Sequence, residues 1–128
     1  MKFIWSLFFS LFMVLCVHAQ TINVCETCEL STLKTAIDFA QENDTILIQK
    51  GTYKEHNIII DKPLTLIGEN YPLIDGELKG EIITITSDNV TVDGLFIINV
   101  GSSYTEDFAA IRVRRSENFV IKNLVTIK

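Results

Sequence analysis

The residues best equipped for chemistry are Cys25 and Cys28, in Cys25-Glu-Thr-Cys28. Two thiols at this spacing can do three things. They can close a small disulfide loop in an oxidising compartment. They can exchange disulfides, although a redox-active motif of this kind is expected to open a helix after a strand, and here the helix pattern begins only at Ser31. As thiolates they can hold a soft cation such as Cu(I), which accepts two donors, whereas a structural zinc site wants four. Glu26 and Glu29 add negative charge beside the pair, which attracts a cation and opposes thiolate formation. All three readings stay open on the sequence.

A second set is spread further along. Asp75 and Asp93 each precede a glycine, which suits a turn, and also offer the carboxylates that carbohydrate chemistry requires. Arg112 and Arg114 flank Val113, so on a strand both point to one face, outward if Ile111 and Val113 point in. Outward arginines form a solvated face or an anion contact. His56 has no evident partner for a catalytic triad and is expected at the surface.

Composition limits what these groups can serve. Met1-Lys2 followed by the mainly apolar run Phe3 to Val17 and by Val17-His18-Ala19 has the form of a signal peptide cleaved after Ala19, with export to the periplasm as the expectation. The run falls short of the roughly 20 residues that span a bilayer. Cys16 lies inside it behind Val14-Leu15, a poor context for lipid attachment. Every acidic residue follows the leader, and the whole chain carries 16 acidic against 11 basic residues, net −5. No basic block is present, so nucleic acid is not an expected partner. What remains after cleavage is one domain at most.

The elements that must position these residues are short. Leu33, Ala36, Ile37 and Ala40 keep helical spacing, which predicts a helix over about Ser31 to Glu42 with Ser31 as N-cap. After Thr45 the chain reads as short β-branched runs separated by turn residues. Leu64-Thr-Leu-Ile-Gly68, Val90-Thr-Val-Asp-Gly94 and Phe119-Val-Ile-Lys-Asn123 repeat one pattern, each after a polar turn and each ending on Gly or Asn. Such a repeat predicts an all-β fold, a right-handed parallel β-helix (solenoid) with an N-terminal capping α-helix. Leu64, Leu66, Val90, Val92, Phe119 and Ile121 are expected in inward files, and Asn89 and Asn118 in a corner ladder. The expected organisation is a signal peptide over 1–19, a strand and capping helix over 20–44, and the first coils over 45–128. The last coil has no polar cap, so the chain reads as the N-terminal part of a longer solenoid.

With Gly51-Thr-Tyr-Lys-Glu55, Ile67-Gly-Glu69, Pro72-Leu-Ile-Asp-Gly76 and Val92-Asp-Gly-Leu-Phe-Ile-Ile-Asn-Val-Gly101 in view, the chain resembles NosD-type proteins over residues 20–128. The resemblance implies a non-catalytic, copper-binding periplasmic β-helix protein. Its implied partners are an ABC transporter and nitrous oxide reductase, whose copper centre such proteins help to assemble. The capping pattern is also similar to pectin methylesterases and other carbohydrate-active β-helices, which implies a polysaccharide lyase or esterase as the alternative.

Overall fold

The computed structural model describes residues 18–127. The leader, including Cys16, falls almost wholly on residues outside that range. No described helix is long and apolar enough to cross a membrane.

The described chain winds into stacked coils. Its elements are β1 (Thr21–Val24), α1 (Leu33–Phe39), β2 (Thr45–Ile48), β3 (Thr52–Lys54), β4 (Ile58–Ile60), β5 (Thr65–Gly68), β6 (Leu73–Asp75) and β7 (Ile83–Ile85). They continue with β8 (Thr91–Asp93), β9 (Phe96–Ile98), β10 (Ile111–Val113), β11 (Val120–Lys122) and β12 (Val125–Ile127). Three parallel sheets result, ordered β1-β2-β5-β8-β11, β3-β6-β9-β12 and β4-β7-β10. Each strand pairs with the strand one coil away, so this is a parallel β-helix. The strands are short because each wall of a coil is narrow, and β-branched residues suit these half-buried pleats.

The inward files follow from strict register. Ile22 pairs with Ile46, Ile46 with Leu66, Leu66 with Val92 and Val92 with Ile121. The predicted stacking of Leu66, Val92 and Ile121 is therefore observed. The sequence repeat had missed two rungs, because the interval from Ile46 to Leu66 is shorter than that from Val92 to Ile121. Ile58, Ile60, Ile83 and Ile85 fill the third wall and are fully buried. Phe119 sits one residue before the Val120–Thr91 pair, level with Val90, yet it is 44% exposed. No further described coil lies over it.

Two expectations about corners change. Asn89 and Asn118 both adopt positive φ, as corner residues should. Their corners are tied by the Asp88 Oδ1, which accepts the Glu117 N–H at 2.7 Å, by the Asn89 N–H, which donates to the Glu117 carbonyl at 3.1 Å, and by Ser116 Oγ, which donates to the Ser87 carbonyl. Gly68 and Gly94 occupy equivalent positions but are required for different reasons. Gly94 has φ +79°, whereas at Gly68 a Cβ would lie 2.2 Å from the Gly94 carbonyl oxygen.

The helix covers the open end, but it is shorter than predicted. Thr32, not Ser31, is the N-cap, its Oγ1 accepting the Thr35 N–H at 3.2 Å. Ala40 is already extended, with ψ 147°. Lys62 Nζ donates to the carbonyls of Ile37 and Ala40, both at 2.8 Å, and so takes over the acceptors of the last turn. Leu33, Ala36 and Ile37 bury the apolar stripe against the first coils.

Candidate functional site

Two places gather polar chemistry, one at the capped end and one on the wall formed by β4, β7 and β10.

At the capped end, β1 runs straight into the cysteine pair. Cys25 and Cys28 are joined in a disulfide with their Cα atoms 5.0 Å apart. The Cys28 N–H donates to the Cys25 carbonyl at 3.2 Å, closing a tight turn. In this form neither sulfur is a thiolate, so a soft cation could be held only after reduction. Among the described residues no group of three or more His, Cys, Asp or Glu is placed to hold a metal ion.

Next to this turn a cavity of about 480 Å³ is lined by Glu26, Thr32, Lys50, Tyr53 and Glu55, among others. Its polar groups serve the fold. Tyr53 Oη donates to the Gln49 carbonyl at 2.6 Å and also lies 3.3 Å from the Val24 carbonyl. Burial raises the Tyr53 pKa, and the nearby charges of Glu55 and Glu26 raise it further. Glu55 is buried and accepts the N–H groups of Leu33 at 2.7 Å and Lys34 at 3.1 Å. Asp44, also buried, accepts the N–H groups of Gln20 and Gln41 at 2.8 and 2.9 Å. The Gly-Thr-Tyr-Lys-Glu segment thus supplies the pins that hold the cap on the solenoid.

On the third wall a groove of about 610 Å³ collects residues from three successive coils, including His56, Lys79, Glu81, Asp107, Arg112 and Arg114. The register explains the gathering. Ile58 pairs with Ile83 and Ile83 with Ile111, so His56 and Glu81 hold equivalent positions one coil apart. Ile59, Thr84 and Arg112 form the outward file between the buried ones. Arg112 Nε donates to one oxygen of Glu81, and Thr84 Oγ1 donates to the other at 3.1 Å. Arg112 Nη2 also donates to the Asp107 carbonyl, drawing the loop after β9 back against the wall. Arg114 approaches Glu81 at 4.0 Å and leaves its side chain 62% exposed.

The sequence-predicted residues therefore separate. Arg112 and Arg114 come together facing outward, as alternation required, and His56 joins them at the groove. Asp75 and Asp93 do not. Asp75 Oδ1 accepts from Asn99 Nδ2 and from the Glu77 N–H, both at 2.9 Å. These bonds, the Asn99 side chain first, hold its carboxyl below the usual range. Asp93 Oδ1 accepts from Asn123 Nδ2 at 2.8 Å, and Lys122 lies 3.8 Å away. Each aspartate ties its turn to the next coil, so the turn reading holds. The acid of the arginine cluster is Glu81, which the sequence reading passed over. Its one available signal was its position two residues before a buried strand, matching His56 before β4, and that signal needs the register to be visible.

Comparison with known proteins adds one relation. Over 60 residues the chain is 40% identical to a Pseudomonas aeruginosa protein named "Probable ABC transporter binding protein NosD". The match covers 47% of this chain and 14% of that protein, so the chain corresponds to a small part of its relative's length. No family model matches the chain, and no solved structure matches it.

Proposed function

We propose that this chain is a NosD-like accessory protein, exported to the periplasm, that serves assembly of the copper centre of nitrous oxide reductase in company with an ABC transporter. The observation that carries the reading is the 40% identity over 60 residues to a protein named for NosD and for ABC transporter binding. The stacked coils support it, since a parallel β-helix offers long rigid walls for docking other proteins. In this role the chain performs no chemistry on a substrate. Its contribution to metal handling is the Cys25–Cys28 pair, which after reduction presents two thiolates to one Cu(I) ion.

The experiment has two parts. Reduced protein and its Cys25→Ser, Cys28→Ser double variant are titrated with Cu(I) against a competing chelator. One equivalent bound by the parent and none by the variant is expected; equal uptake removes the cysteines from the metal role. Separately, a strain lacking the gene is expected to accumulate copper-deficient reductase. Fully loaded reductase in that strain would remove the accessory role itself.

The alternative, a carbohydrate-active enzyme, gains the acid–arginine groove. The carboxylate that meets the arginines is committed, however. Glu81 is bound on one oxygen by Arg112 and on the other by Thr84. General acid–base work asks for a carboxyl free to exchange a proton with substrate.

A further inference from the structure

The Cys25–Cys28 disulfide lies where breaking it costs the fold little. It joins residues three apart in sequence, and the stabilising effect of a cross-link grows with the length of chain it closes. Both flanks are fixed without it. Upstream, β1 is paired along its whole length with β2, and the Val24 carbonyl accepts the Gln49 N–H at 2.9 Å. Downstream, Leu30 packs against the core, Thr32 caps α1, and Glu55 holds the N–H groups of Leu33 and Lys34. The turn between these anchors is closed locally, by the Cys28 N–H on the Cys25 carbonyl. Its opening leaves the coils and the cap in place.

The bond is also within reach of a second thiol. Neither cysteine is buried, and Glu26, Thr27 and Glu29 beside them are exposed. The two sulfurs differ in their surroundings. Thr27 Oγ1 lies 3.7 Å from Cys25 Sγ, within hydrogen-bond reach of sulfur. Once the bond is broken, that hydroxyl can donate to a Cys25 thiolate, and a hydrogen bond to the charged form stabilises it. In exchange, the sulfur whose thiol has the lower pKa leaves faster. Glu26 adjoins Cys25 and Glu29 adjoins Cys28, so their charges oppose both thiolates and do not decide between them. The geometry thus makes Cys25 the leaving sulfur and Cys28 the sulfur attacked.

We propose that the pair is a thiol–disulfide exchange centre that takes electrons from a dithiol protein. A thiolate of the partner attacks Cys28 Sγ. The Cys25–Cys28 bond breaks, its electron pair leaves on Cys25 Sγ, and Cys28 is joined to the partner in a mixed disulfide. The partner's second thiolate then attacks the partner's own bridged sulfur and releases Cys28. Two electrons pass to the pair, each released thiolate takes up a proton, and the partner departs as a disulfide. Thr27 is a positioning residue that acts through Cys25. Applied to the proposed metal role, and resting on it, this exchange sets when two thiols become available to Cu(I). The exchange itself does not depend on that role.

The test uses the full chain carrying Cys16→Ser, so that the pair supplies its only thiols. The oxidised chain is mixed, without copper and without denaturant, with reduced thioredoxin as the dithiol probe. A parallel reaction uses thioredoxin whose second active-site cysteine is serine, which traps the intermediate. Two thiols released per chain are expected in the first reaction, and a mixed disulfide in the second, placed on Cys28 by peptide mass spectrometry. The reduced chain is expected to keep its far-ultraviolet circular dichroism and a cooperative melt. Thr27→Val, at an exposed position, should slow exchange about fivefold, as loss of one hydrogen bond does, and Thr27→Ser should keep the parent rate. Thiols released only in denaturant, a mixed disulfide on Cys25, loss of the fold on reduction, or an unchanged rate in Thr27→Val would overturn the proposal. No copper is present, so failure here is distinct from failure of the Cu(I) titration, which starts from protein already reduced.

Discussion

Tyr53 shows how a residue that looks functional can be structural. Its hydroxyl is the donor to the Gln49 carbonyl, and its ring is almost fully buried. Because its pKa is raised above the ordinary 10.0, the neutral phenol is favoured in the folded state. A group whose folded pKa is raised contributes stability that is complete below the unfolded value and is lost as pH climbs through the folded one. The chain should therefore lose stability above about pH 10 in a way that depends on Tyr53. Melting temperatures from pH 8 to 11 for parent and Tyr53→Phe check this. The variant is expected to start lower, by about 1 kcal/mol for the missing hydrogen bond, and to fall less steeply with alkali. Parallel curves would show that the phenol does not titrate in this window.

At the scale of the element, α1 has only seven residues, too few to be stable alone. It stays helical because the solenoid satisfies both of its ends. Glu55 from the stretch after β3 takes the first free N–H groups, and Lys62 from the stretch after β4 takes the last carbonyls. Glu55→Ala should leave two N–H groups without their acceptor and cost about 1–3 kcal/mol, a drop of roughly 5–15 °C in Tm. Thr32→Ala removes only the local cap and should cost about 1 kcal/mol. Thermal melts that place Thr32→Ala below Glu55→Ala would contradict the view that the coil, not the cap residue, holds the helix.

At the scale of the whole molecule the two ends differ. The first coil lies under α1, while β10, β11 and β12 are edge strands of their sheets among the described residues. Phe119, Val120, Val125 and Ile127 are exposed there, at 42–56%. Open parallel edges with apolar side chains template further pairing. The chain studied alone should self-associate across the micromolar to millimolar range in which open edges aggregate. Val120→Lys with Val125→Lys, two outward positions on those edges, should restore a monomer in sedimentation velocity. A parent chain that is monomeric throughout would refute this.

The sequence by itself determined the coil. Alternation in Leu64-Thr-Leu66 and Val90-Thr-Val92, with a turn before and a glycine after, leaves few ways to bury both apolar files except by stacking. It also placed Arg112 and Arg114 outward, because alternation along a strand is local. The tertiary structure decided what those arginines meet. Glu81 lies far from Arg112 along the chain, and only the parallel register between β7 and β10 brings them to one face. The same holds for Glu55, whose partners on α1 belong to a different coil. It holds too for Gly68, whose place at the end of its strand pattern marks only a turn and which is a point where two backbones touch. Short-range periodicity is written in neighbouring residues; contacts across coils depend on the length of every intervening turn, and those lengths vary along this chain.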